Sequence, residues 1–135
     1  MAKKIESVEG IGAVYGEKLR AAGCGTTAQL LKHGATRKGR EVLAAKTGIS
    51  PSVIMRCVNM ADLFRIKGVA TQYAELLEAA GVDTVKELKH RNAANLSLAM
   101  RQANAARKLV RQLPAEKTVA GWIEQAKALP PVVTY

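Results

Sequence analysis

The amino-acid sequence predicts an all-α fold made of two similar halves. A shift of 58 positions lays residues 5–30 on residues 63–88, and apolar residues, glycines and helix-cap residues match together. Elsewhere apolar residues recur every three or four positions, as on one face of a helix, and no segment alternates like a β-strand. Apolar residues make up 48% of the chain and aromatic residues 4%, so aliphatic side chains and alanines are expected to form the core.

Each copy of the repeat predicts the same order of local elements. A short apolar turn meets a glycine, and a helix follows whose apolar face in the first copy includes Val14 and Leu19. Gly23 then stands where a left-handed residue would end that helix. Thr26, with Gln29 three residues later, forms a capping box that starts a short connecting helix. The corresponding residues of the second copy are Gly81, Thr84 and Glu87.

The segments that follow each copy predict further helices. Gly48 ends a helix over residues 37–46, and Ser50 with Pro51 begins the next one. After the second copy Asn92 can cap a helix, and a last helix ends before Pro130. The predicted units are residues 1–61, whose second hairpin is degenerate, and residues 62–135, which include the C-terminal helix and a short tail.

The glycine turn of each copy resembles the helix-hairpin-helix motif. In Gly10-Ile11-Gly12 the glycines let the backbone turn sharply, so that the amides that open the next helix lie unsatisfied at the positive end of its dipole. Proteins with this motif hold nucleic-acid phosphates there without reading bases. The second copy, Gly68-Val69-Ala70, lacks the second glycine, which favours the first hairpin as a phosphate site. The predicted fold is thus two tandem, paired helix-hairpin-helix (SAM-like) units packed together.

The charge of the chain favours a polyanionic partner. Lys and Arg number 21 against 11 Asp and Glu, a formal net charge of +10. Such an excess on a small domain attracts nucleic acid, and we expect sequence-nonspecific binding to the backbone of DNA or RNA. Residues 1–61 carry 10 basic and 4 acidic side chains and residues 62–135 carry 11 and 7, which favours the first half slightly. Alternatively, the excess of positive charge serves only to keep the protein soluble through repulsion between molecules.

The candidate nucleic-acid contacts are the hairpins and the basic residues around them. Directly after the hairpins stand Ala13, Val14, Thr71 and Gln72 rather than the basic residues that are frequent in DNA-binding members. The positive charge must therefore come from residues on either side. The predicted contacts are Gly10, Ile11, Gly12, Lys18, Arg20, Arg37, Lys38, Arg40, Arg65, Lys67, Gly68 and Val69.

Two other functions compete with backbone binding. Residues 41–56 resemble a helix-turn-helix whose recognition helix would run over residues 50–59. That helix is largely apolar, with only Arg56 and Asn59 suited to base edges, so a degenerate hairpin is the better interpretation. The second alternative is a protein–protein adaptor that uses the hairpins structurally, which acidic Glu17 and Glu75 after the hairpins would suit.

The remaining signals argue against catalysis. No residues assemble into a nucleophile, an acid–base pair or a nucleotide loop, so we expect no enzymatic activity and no cofactor. Cys24 and Cys57 lack metal-ligand spacing and are expected to be core residues, with no metal site. The N-terminal residues 1–5 lack the apolar run of a signal peptide, and no stretch could span a bilayer, so a cytoplasmic protein is expected.

Over nearly its whole length the chain resembles a bacterial family of unknown function defined by tandem helix-hairpin-helix units. Three stretches carry the resemblance, namely residues 38–50, 58–68 and 122–135. The resemblance implies the architecture and no reaction. A nucleic-acid function is carried over only by analogy with the motif.

Overall fold

The structure, a computed structural model, describes residues 3–8 and 10–134. Met1, Ala2, Glu9 and Tyr135, which belong to the predicted N-terminal segment, first copy and tail, lie outside the described residues. Within the described ranges the chain is all-helical, as predicted, with a 3-10 turn at Ile5–Ser7 and eight α-helices. The helices are α1 Gly12–Ala21, α2 Thr27–Gly34, α3 Arg37–Thr47, α4 Pro51–Leu63, α5 Thr71–Ala79, α6 Val85–Leu88, α7 Ala93–Arg107 and α8 Glu116–Ala128.

The chain divides into two compact units, Met1–Asp62 together with Val132–Tyr135, and Leu63–Pro131. The sequence prediction grouped residues 132–135 with the second half, whereas contacts group them with the first. The Thr134 N–H donates to the Ala35 carbonyl at 2.8 Å, and Val133 is buried. No helix in the described part of the chain combines the length and hydropathy that a bilayer crossing needs.

Helix ends follow the predicted local chemistry in both units. Gly23 and Gly81 have φ of +89° and +96°, and the chain reverses at each of them through a Schellman pair of backbone hydrogen bonds. In the first unit the Cys24 N–H donates to the Leu19 carbonyl at 2.7 Å, and in the second the Val82 N–H donates to the Leu77 carbonyl at 2.8 Å. Short-range hydrogen bonding therefore determines where α1 and α5 end.

The first unit is centred on aliphatic residues brought together by close helix contact. Ile5, Leu30 and Ile54 are fully buried there. Gly34, at the end of α2, lets α4 approach closely, because a Cβ at that position would lie 2.5 Å from the Cγ2 of Val58. The predicted core position Val14 is wrong, since its side chain is 64% exposed on the first turn of α1.

The second unit has a core of aliphatic side chains together with one indole ring. Its core includes Leu76, Leu77, Leu96, Met100 and Trp122, all of them buried. α7 packs against both α5 and α8, and α6 packs against α8. The ring of Trp122 lies 5.7 Å from that of Tyr73, centroid to centroid, at an interplanar angle of 52°. This pair joins the first turn of α5 to the last helix of the unit.

Candidate nucleic-acid interface

The first hairpin is a turn whose conformation depends on its two glycines. Gly10 and Gly12 have φ of +89° and +64°, in the region that L side chains rarely adopt. Between them Ile11 is 3% exposed and anchors the turn in the core. The Ile11 N–H donates to the Val8 carbonyl at 3.3 Å, so this amide stabilises the turn itself. The amides left for a ligand are those that open α1.

The helices that follow the two hairpins, α1 and α5, differ from most of the others in lacking a side-chain cap. Side chains accept hydrogen bonds from the N-terminal amides of α2, α3, α4, α6 and α7. At α2 the capping box is complete, because Gln29 also accepts from the Thr26 N–H at 3.2 Å. The N-cap positions of α1 and α5, Ile11 and Ala70, have no side-chain cap, and Ala115 of α8 has none either. The N-cap residues of α1 and α5 therefore supply no side-chain acceptor to the first amides of these helices.

Arg56 of α4 lies against the first hairpin. A Cβ built on Gly10 would come within 3.1 Å of the Arg56 Nη1, so the absent side chain leaves room for the guanidinium. Around Gly12 no atom lies within 4 Å of such a Cβ position, and the residue is exposed. A guanidinium therefore lies beside Gly10, two residues before the start of α1, whose N-cap residue has no side-chain cap. Guanidinium and amide N–H groups are the donors that phosphate oxygens accept from.

The second hairpin has the same first glycine and a different second residue. Gly68 has φ of +94°, and a Cβ there would lie 3.1 Å from the indole Nε1 of Trp122. Val69 is buried, and its N–H donates to the Ile66 carbonyl at 3.2 Å, as Ile11 does in the first copy. Ala70 has φ −83° and ψ 174° instead of the positive φ of Gly12, because its Cβ disfavours the left-handed region. The two hairpins therefore differ in backbone path and in the group that covers the first glycine.

The basic residues of the second hairpin are used partly by the structure itself. The half-buried Arg65 donates from Nη1 to the Pro130 carbonyl at 3.0 Å. The Lys67 backbone is held by the Gln125 amide, which accepts from its N–H at 2.8 Å and donates to its carbonyl at 3.1 Å. The side chain of Lys67 remains exposed. Of the two, Lys67 is better placed for an external anion.

Lys18 and Arg20 lie in the last turn of α1, away from the hairpin. Lys18 is six residues from the start of the helix, about 9 Å along its axis. Arg20 forms an ion pair with Glu6, whose pKa is lowered by a hydrogen bond to its own backbone N–H and by Arg20. Both residues therefore lie at the opposite end of α1 from the amides that open it.

Of the basic group at residues 37–40, Arg40 is a structural residue. It is 6% exposed, and its guanidinium donates to the carbonyls of Gly34 at 2.9 Å, Ala35 at 3.1 Å and Thr134 at 2.6 Å. These bonds hold its guanidinium inside the first unit, where it already has three carbonyl partners. Arg37 and Lys38 are exposed on the first turn of α3, with Arg37 3.5 Å from Glu41.

Comparison with known proteins places the chain in a family. The family described as domain of unknown function (DUF4332) matches residues 9–129. The chain belongs to this family. The region of this chain that matches DUF4332 contains all eight described helices and both hairpins. It does not include Thr134 or the rest of the tail. No match was found among curated proteins or among solved structures.

The burial of α4 argues against the helix-turn-helix alternative. α4 is described throughout, and each side chain from residue 53 to residue 63 is buried or half-buried. The Oδ1 of Asn59 is buried, so it does not face a base edge. In the sequence, Arg56 stands out only as a residue that could contact base edges from this helix. Nothing in its local pattern connects it with Gly10. Among the described residues no group of three or more His, Cys, Asp or Glu could hold a metal ion.

Proposed function

We propose that this DUF4332 protein is a non-enzymatic, sequence-nonspecific nucleic-acid-binding protein built from tandem helix-hairpin-helix units. The first hairpin holds a backbone phosphate of DNA or RNA. The observation that carries the proposal is the Arg56 guanidinium beside exposed Gly10, two residues before α1, whose N-cap position has no side-chain cap. Exposed Lys67, Arg37 and Lys38 add electrostatic attraction around the protein.

The decisive measurement is a fluorescence-anisotropy titration of labelled duplex, junction and single-stranded oligonucleotides at two salt concentrations. Each phosphate that the protein neutralises contributes a slope of about −0.9 on the plot of log affinity against log salt for duplex DNA. Binding that weakens steeply with salt and ignores base sequence is expected. No binding to any of the three substrates at low salt contradicts the proposal.

Arg56→Gln tests the contact at the first hairpin. Losing one charged donor to phosphate should weaken binding about 10- to 150-fold, since such hydrogen bonds contribute about 1.5–3 kcal/mol, and should reduce the salt slope by about 1. Lys127→Gln removes the same charge from an exposed site where Lys127 pairs with Glu124 at 3.1 Å, and serves as the matched control. Equal effects of the two variants would show that only net charge matters.

Gly12→Val and Ala70→Val compare the two hairpins directly. Valine at Gly12 must leave a φ of +64° and so displaces the amides that open α1, whereas Ala70 already has a φ that valine accepts. The Gly12 variant should therefore lose more affinity than the Ala70 variant. Circular dichroism of both variants checks that the helices remain.

An adaptor role is the second candidate, and two observations favour it. Val14, next to the first hairpin, is 64% exposed and could contact a protein partner. Of the basic residues predicted for the first unit, Lys18 and Arg20 also lie in the last turn of α1, and Arg40 is buried. Failure of all nucleic-acid titrations, together with an intact fold, would favour this role.

A further inference from the structure

A cleft of about 700 Å³ opens in the second unit between the first turn of α5 and the loop that follows α7. Its polar lining consists of Gln72, Tyr73, Asn104, Lys108, Arg111 and Gln112. Two cations and several amide or hydroxyl groups thus face one volume, and no carboxylate is among the residues that line it. Ligand pockets typically measure about 300–1,000 Å³, so the cleft has the size of a small-molecule site.

The loop that carries the two cations is held by hydrogen bonds at Val110 and Gln112. The Asn104 side chain accepts from the Val110 N–H at 2.9 Å and donates to the Val110 carbonyl at 3.1 Å. The Tyr73 hydroxyl donates to the Gln112 carbonyl at 3.3 Å. Lys108 and Arg111 therefore stand on a fixed backbone, which lowers the entropy lost when a ligand binds.

Lys108 has a backbone conformation that disfavours a side chain. Its φ of +51° is the only positive value at a non-glycine residue in the described part of the chain. Its N–H ends α7 by donating to the Asn104 carbonyl at 2.7 Å, a position that glycine commonly occupies. Glycine would adopt this φ without the Cβ penalty, so the helix end alone gives no reason for a lysine here. The side chain of Lys108 instead lines the cleft.

We propose that the cleft binds the phosphate group of a nucleotide, either a free nucleotide or the 5′-phosphorylated end of a strand. Lys108 and Arg111 contact the phosphate oxygens, with the guanidinium able to do so through two parallel N–H groups. The uncapped start of α5 adds a favourable dipole on the opposite wall. This site lies outside the hairpin of Gly10 and Gly12, and it does not require nucleic acid to bind there.

Trp122 gives a direct readout of the cleft, since it is the only tryptophan and its ring lies 5.7 Å from that of Tyr73. The full chain is titrated with inorganic pyrophosphate, with ADP, and with a short single strand carrying either a 5′-phosphate or a 5′-hydroxyl. Fluorescence and isothermal calorimetry are recorded in parallel. Saturable binding of pyrophosphate and ADP supports a free nucleotide, and preference for the 5′-phosphate over the 5′-hydroxyl strand supports a strand end.

Lys108→Gly separates binding from folding. It removes the side chain and relieves the unfavourable φ, so the melting temperature should not fall while affinity for pyrophosphate drops at least tenfold. Arg111→Gln should weaken binding similarly, whereas Arg101→Gln, which changes an exposed arginine of α7 outside the lining, should leave it unchanged. Calorimetry without saturable binding, equal binding of the two strand ends with no binding of ADP, or full affinity in Lys108→Gly would overturn the proposal.

Discussion

Replacing Arg40 by methionine tests whether this residue is a structural element of the first unit. Methionine keeps much of the aliphatic side chain and removes the guanidinium, so the change isolates the three hydrogen bonds to the carbonyls of Gly34, Ala35 and Thr134. Arg37→Met is the matched control three residues earlier. Arg37 pairs with Glu41 at 3.5 Å, and the two side chains are 79% and 65% exposed.

The three carbonyls differ in what remains after the substitution. Ala35 still accepts from the Thr134 N–H at 2.8 Å, and exposed Thr134 can bond to water. Buried Gly34 is left without the Arg40 donor, at a cost of about 1–3 kcal/mol. With about 1 kcal/mol for the weaker hold on the tail, the free energy of unfolding should fall by about 2–4 kcal/mol. For Arg37→Met the expected change is about 0.5 kcal/mol or less, because exposed ion pairs contribute little.

Urea unfolding followed by far-ultraviolet circular dichroism measures both variants, with the slope against urea checked for constancy. A loss of about 2–4 kcal/mol also corresponds to a fall of roughly 4–16 °C in melting temperature for a chain of this size. If Arg40→Met and Arg37→Met differ by less than about 0.5 kcal/mol, the argument from buried carbonyls is refuted. Under folding conditions Arg37→Met should weaken nucleic-acid binding more than Arg40→Met.

Two further predictions concern packing and ionisation. Gly34→Ala places a Cβ 2.5 Å from Val58 and should lower the free energy of unfolding by about 1–3 kcal/mol, whereas Gly121→Ala, with no atom within 4 Å, should raise it by about 0.5–1 kcal/mol. Urea unfolding measures both free energies. A change of the same sign in the two variants would contradict the close contact between Gly34 and Val58. Burial raises the pKa of the Cys24 thiol, so the unfolded chain loses this proton first and stability should decline as the pH rises above about 8.5. Unfolding at pH values from neutral to alkaline should show a shallower decline in Cys24→Ala, and an identical decline would refute the assignment.

Local features of the fold could be predicted because short-range chemistry determines them. Thr26 and Asn92 cap their helices as the sequence indicates, and Ser50 with Pro51 begins α4. Gly23 has the left-handed conformation expected of a helix stop. Each of these outcomes depends on a residue and its neighbours within about five positions, so the pattern contains the necessary information.

The candidate site could be predicted less completely, because burial decides what a basic residue does. Arg37 and Arg40 are alike in the sequence, yet Arg40 is buried and binds backbone carbonyls while Arg37 is exposed. Val14 matches the apolar spacing of α1 and is nevertheless exposed. The positive φ of Lys108 and its position beside a cleft are likewise visible only in the structure.

The sequence by itself determined that the chain is all-α and that sharp turns occur at Gly10 and Gly68, since glycine conformation and helix capping are local properties. Only the tertiary structure decided which side chain lies against each turn. Arg56 lies against Gly10 and Trp122 lies against Gly68, from positions 46 and 54 residues further along the chain. The difference between a guanidinium and an indole at equivalent places arises from helix packing, which joins residues that no local pattern connects.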